Sequence, residues 1–141
     1  MLILAIADWY CDWKWTRLSR SRDARIMSAI PDLMAANLLR IFNERNRRRR
    51  AAAIRAIYAE DCFFTDGTDS VLGWDGLHDT VDRLQSVHPG FVFQTTGPAV
   101  VRHGFAYQRW RFGPREARNV IIGVDVAFFE KCSIKGLIRL N

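Results

Sequence analysis

The sequence predicts an α+β domain, and three observations carry that reading. Helix-type periodicity is confined to the stretch between Pro31 and Val87, strand-type alternation fills nearly everything after Phe91, and the breaker His88-Pro89-Gly90 separates the two. Helices first and long strands last is the order of a segregated α+β fold rather than of an alternating parallel sheet. A chain of 141 residues, 49% apolar and 12% aromatic, is one domain's worth with enough apolar material for a core.

Residues 1–30 precede the pattern. Trp9, Trp13 and Trp15 crowd one end, arginines alternate with small polar residues, and no period runs through the segment. It reads as an N-terminal extension, with residues 31–141 as the folded domain. Pro31-Asp32 reads as a helix entry, followed by Met34, Leu38, Ile41 and Phe42 at i, i+4, i+7 and i+8 on one face. Asn46 and the arginines after it interrupt this helix. A second helix carries Ala51, Ile54, Ile57 and Tyr58 on one side and ends near Glu60-Asp61. Cys62-Phe63-Phe64-Thr65 is a short strand, and Gly67 and Gly73 bracket a loop or tight hairpin. A third helix starts near Trp74-Asp75, with Leu77, Val81 and Leu84 facing inward. Then Phe91–Thr96 alternates, Gly97-Pro98 turns the chain, and Val100–Phe112 reads as one long strand. Gly113-Pro114 turns again, and residues 119–130 and 134–140 complete the sheet.

Charge narrows the partners. The net charge of +6 is local: residues 14–55 hold 12 Lys/Arg against 3 Asp/Glu, with the peak at Arg45-Asn46-Arg47-Arg48-Arg49-Arg50. Such a run is either a phosphate-binding patch or a solvated helix start, and the second reading is preferred, so nucleic acid is not an expected partner. No apolar run approaches the ~20 residues of a membrane helix, and the opening Met1–Ala7 lacks the basic flank of a secretory signal. Cys11, Cys62 and Cys132 lack metal-type spacing and cannot all pair within one chain, which points to a reducing, cytoplasmic setting without a metal. No Gly-rich phosphate loop or nucleophile elbow is present, and no cofactor is implied.

Two aspartates stand out. Asp66 closes an aromatic strand, where it can either cap a turn or point its charge into a pocket. Asp125 interrupts an apolar strand, where aspartate is disfavoured, and is either a cavity residue or an edge or interface charge. Parity puts Asp66 on the face of Cys62 and Phe64, and Asp125 on the face of Ile121, Ala127 and Phe129.

The segments Ile57-Tyr58-Ala59-Glu60-Asp61, Phe63-Phe64-Thr65-Asp66, His88-Pro89-Gly90-Phe91, Arg109-Trp110-Arg111-Phe112-Gly113-Pro114 and Gly123-Val124-Asp125-Val126 follow one another in a familiar order. Over about residues 32–141 the chain resembles the nuclear-transport-factor-2-like superfamily, in its SnoaL-like and ketosteroid-isomerase-like branch. The resemblance implies a cone: a curved antiparallel sheet wrapped around about three helices and enclosing an apolar cavity. It implies catalytic roles for Asp66 and Asp125, with Phe42, Tyr58, Phe64, Trp110 and Phe129 lining the pocket. It also implies a small apolar molecule as partner and acid/base chemistry of an isomerase, cyclase or hydratase, or else a non-catalytic binding or dimerisation module. In an apolar cavity such a carboxyl pair would have at least one pKa raised, and Asp125→Asn would cost little stability. Counting back the isomerase spacing from Asp66 lands on Phe42, where the steroid enzymes carry a phenol, so steroid isomerisation is disfavoured. The strands from Val100 to Leu140 hold more apolar surface than three helices can cover, which predicts a homodimer through the outer sheet face.

Overall fold

The structure, a computed structural model, describes residues 20–117 and 120–141. The three tryptophans of the extension, Cys11 and Asn119 lie outside the described residues. Helix α1 (Arg20–Ala36) begins well before Pro31, which sits inside it rather than opening it. Ile30 is already core at 5% exposure, so the boundary drawn at residue 30 falls within a helix. A proline inside a helix removes one backbone hydrogen bond, and the helix survives here because its far end is packed.

After Ala36 the chain widens into a π-helical turn, Asn37–Phe42, in which the Asn43 N–H donates to the Leu38 carbonyl at 2.9 Å. The turn directs Asn37, Leu38, Ile41 and Phe42 inward together. Asn46 then caps α2 (Arg47–Ile57), its side chain accepting the Arg49 N–H at 3.0 Å. Helix α2 stops at Ile57, not at Glu60-Asp61. Tyr58 already pairs with a strand, so Tyr58–Asp61 extends the expected short strand backwards into β1 (Tyr58–Thr65).

The arginine run is a clasp between helices. Arg50 is fully buried, donating to the Glu44 carbonyl at 2.8 Å and to Gln85 Oε1 at 3.1 Å. Together with Arg47 it also pairs with Asp82 of α3 (Gly73–Val87). Arg49 pairs with Glu44 at 3.1 Å.

The remaining strands are β2 (Ser70–Leu72), β3 (Phe91–Thr95), β4 (Val100–Arg102), β5 (Phe105–Pro114), β6 (Ile121–Glu130) and β7 (Ser133–Leu140). They form one open sheet in the order β2-β1-β7-β6-β5-β3, with β4 on β5. The sheet is mixed, because β1 and β7 run parallel while the other pairs are antiparallel. The run expected as one strand over 100–112 is split at His103-Gly104, where Gly104 takes φ 79°. Gly113-Pro114, read as a turn, continues β5 instead, with Pro114 opposite Phe91 at the strand's end. The curved sheet and three helices make the cone-like α+β architecture the sequence led one to expect.

Register sorts the side chains. Asp125 lies directly opposite Gln108 on one side and Arg139 on the other, all three buried on the inner face with Ala127 and Leu137. Phe63, Val124, Val126, Phe128 and Ile138 take the outer face.

Candidate functional site

Asp66 sits where β1 ends. Its Oδ1 accepts the Thr68 N–H, the Thr68 hydroxyl and the Asp69 N–H, each at 2.9 Å, which is the hydrogen-bonding of an Asx turn. Its Oδ2 has no hydrogen-bond partner among the described residues. Asp66 thus builds the turn and also lines a cleft of about 280 Å³. Burial pushes its carboxyl up, but the hydrogen bonds from Thr68 and Asp69, with the nearby Arg139 charge, bring it below the ordinary value. The raised carboxyl that the resemblance implied is thus corrected at Asp66: bonds to the charged form outweigh desolvation.

The cleft floor is aromatic, made by Phe42, Phe64, Phe93, Trp110 and Phe112, with Arg139 among them. The rings pack on one another: Phe93 stacks on Phe112 at 4.3 Å and meets Phe42 and Trp110 edge-on at 5.5 and 5.1 Å. Asp69, Arg83 and the exposed Val87 form the mouth, where Arg83 Nη2 donates to Asp69 Oδ2 at 2.7 Å.

Asp125 does not line this cleft. It lies one layer deeper, fully buried, and its acceptor capacity is filled. Oδ1 takes the Trp110 indole N–H and Arg139 Nε at 2.8 Å each; Oδ2 takes Arg139 Nη2 at 2.8 Å and Asn37 Nδ2 at 3.3 Å. Four donors on two oxygens leave no lone pair for a ligand. The structure thus brings Asp66 and Asp125 into one region but gives them different surroundings, and Asp125 carries its own counter-cation.

Tyr58 and Phe129, expected on the pocket wall, are core residues instead. The Tyr58 hydroxyl donates to Asn37 Oδ1 at 2.7 Å. Burial, and next the Asp125 charge, push this phenol well above its usual value, so it stays a donor. That fixes the Asn37 amide with its nitrogen toward Asp125. A phenol is therefore present near the site, but beneath the floor rather than at Phe42, which lines the cleft.

Two residues of this centre were not singled out from sequence, and each left a signal. Asn37 lies three residues after Met34 and four before Ile41, a polar group on an apolar helical stripe. Arg139 shares strand parity with Leu137, a cation on an inward face. Glycine at 123 permits the arrangement: a Cβ there would collide with the Trp110 ring and the Leu140 carbonyl oxygen. Among the described residues no cluster of His, Cys, Asp and Glu could hold a metal ion, and no helix is long and apolar enough to cross a membrane.

No protein-family model and no curated protein sequence matches the chain. Solved structures do. A SnoaL-like family protein from Agrobacterium tumefaciens, described as a candidate isomerase, is 18% identical with a TM-score of 0.67, covering 85% of this chain and 97% of that one. A candidate polyketide cyclase from Sinorhizobium meliloti is 12% identical with a TM-score of 0.60, covering 80% and 97%. A protein of ketosteroid-isomerase-like fold from Catenulispora acidiphila, in complex with trimethylamine, is 11% identical with a TM-score of 0.61, covering 77% and 84%. These likenesses establish the fold, which is shared with SnoaL-like, ketosteroid-isomerase-like and nuclear-transport-factor-2-like proteins. One fold hosts many chemistries, so function has to come from the site.

Proposed function

We propose that the cleft binds a small, largely apolar molecule and that Asp66 acts on it as the acid/base group of an isomerase, cyclase or hydratase reaction. The observation that carries this is the division of Asp66: Oδ1 is held by three donors, while Oδ2 is unengaged on a cleft floored by aromatic rings. A carboxylate positioned by one oxygen and free at the other is built for proton transfer. Its lowered pKa keeps it ionised, hence a base, at neutral pH. Asp125 takes no proton in this reading; it positions Arg139.

The cleft's 280 Å³ is near the lower end of ligand pockets, which suits one or two fused rings and not a four-ring steroid. The second reading, a binding module without catalysis, is favoured by the same lowered pKa, since a weaker base abstracts protons less readily. The test is titration with 2-indanone, a bicyclic ketone, followed through backbone amide resonances. Saturable shifts at Thr68, Arg83 and His88 support the cleft, and shifts confined to the outer sheet face or absent altogether overturn it.

The homodimer remains part of the proposal, supported by the apolar outer face, on which Ile122 and Leu140 are 71% and 53% exposed. Among the described residues Cys62 and Cys132 form no disulfide, which supports a reducing, cytoplasmic setting. Internal pairing of Arg47, Arg49 and Arg50 supports the expectation that nucleic acid is not the partner.

A further inference from the structure

We infer that Arg139 is the group that binds the ligand's oxygen, and that the cleft selects an uncharged cyclic ketone, lactone or ester over a carboxylate or an ammonium ion. This rests on the cleft reading above and names the ligand class for it.

A guanidinium has five N–H donors in a rigid fork. Arg139 gives Asp125 one from Nε and one from Nη2, both at 2.8 Å. The remaining donors, two of them on Nη1, point away from Asp125 by the planarity of the group. No described residue accepts from Nη1, and Arg139 lines the cleft, so Nη1 is the donor nitrogen it can offer there. A donor held rigidly by its carboxylate, in an aromatic surround, is an oxygen site needing little reorganisation.

Charge decides the ligand class. Arg83 is paired with Asp69 at 2.7 Å and Arg139 with Asp125 at 2.8 Å, which leaves Asp66 as a carboxylate on the wall without a cation partner among the described residues. A carboxylate would enter a cleft already net negative and meet an arginine whose charge is compensated. An ammonium ion would seek the aromatic rings, but the Arg139 guanidinium holds them, its carbon 3.9 Å from the Phe42 ring centre and 4.5 Å from that of Phe93. A neutral acceptor oxygen opposes neither arrangement.

The test uses the wild-type protein with four probes of similar or smaller size: 2-indanone, indane, indane-2-carboxylate and tetramethylammonium. The inference expects 2-indanone to bind about tenfold or more tightly than indane, the gain of a hydrogen bond from a charged donor. The carboxylate and ammonium probes should bind more weakly than the ketone. The infrared stretch of carbonyl-labelled 2-indanone should shift to lower frequency on binding, and the Arg139 side-chain nitrogen resonances should move with it. These two readouts need no variant that risks unfolding. Equal binding of indane and 2-indanone in the cleft, an unshifted carbonyl, or a tighter carboxylate or ammonium ion overturns this inference and leaves the cleft reading standing. Failure of every probe to perturb cleft amides overturns both.

Discussion

Arg139 holds Asp125 across the β6–β7 pair through two hydrogen bonds of 2.8 Å, and of the two residues only the arginine lines the aromatic-floored cleft. The arginine faces the cleft and the aspartate does not. This converts the second carboxylate of the expected catalytic pair into the support of a cation.

The pair makes a stability prediction opposite to the one drawn from sequence. Asp125→Asn should destabilise the protein by about 3–5 kcal/mol, because it leaves a buried guanidinium without its counter-charge. The double variant Asp125→Leu/Arg139→Met should lose less than the sum of the single changes. Urea unfolding of wild type, Asp125→Asn, Asp125→Leu, Arg139→Met and the double variant checks this; additive losses in the cycle would mean the two residues are not coupled.

Tyr58→Phe should cost about 1–3 kcal/mol, by leaving the buried Asn37 oxygen without its donor. The amide can then turn over, weakening its contact with Asp125. Thermal unfolding gives the cost, and the Asn37 side-chain amide resonances report the change. An unmoved resonance would show that the phenol does not orient Asn37.

Gly123→Ala should destabilise by about 1–3 kcal/mol through overpacking, since the added methyl meets the Trp110 ring and the Leu140 backbone. The indole would be pushed off Asp125, and the Trp110 indole N–H resonance reads that directly. Wild-type stability with an unchanged indole signal would contradict the close approach.

Asp66 makes the pH prediction. Its folded pKa lies below the ordinary value of about 3.9, so its ionised form contributes stability above that pH, which is lost as pH falls through the folded pKa. Wild type should therefore lose more stability than Asp66→Asn between about pH 5 and the acid limit. Parallel pH–stability curves for the two proteins would show that the turn does not favour the charged form.

How much of this was legible in the sequence depends on which interactions were local. The helical stripe Met34, Leu38, Ile41 and Phe42, the Asn46 interruption and the inward parity of Phe64, Asp66 and Asp125 could be read because they follow from 3.6- and 2-residue periods. The partner of Asp125 could not, because the register that sets Arg139 opposite it depends on how two strands pair. The burial of Arg50 was hidden for a similar reason: its acceptors include Gln85 and Asp82 on another helix, so one arginine of an otherwise exposed run is internal. Pro31 misled because a first-turn proline is the commoner case, and tertiary packing of Ile30 and Met34 overrode it.

The proposed homodimer predicts that sedimentation at micromolar concentration gives twice the chain mass, and that a double Ile122→Lys/Val126→Lys change on the outer face gives the monomer with the cleft intact. A monomeric wild type would remove the interface from the account.

Proton transfer by Asp66 is tested most directly by deuterium uptake from D2O at the carbons flanking the 2-indanone carbonyl, comparing wild type with Asp66→Asn. The account predicts uptake above the buffer rate with wild type and a loss of about 10²–10⁴-fold of that acceleration in the variant, with ketone binding retained. An unchanged rate in Asp66→Asn would contradict the role of Asp66, and saturable binding without any acceleration by wild type would make the cleft a binding site and not a catalytic one.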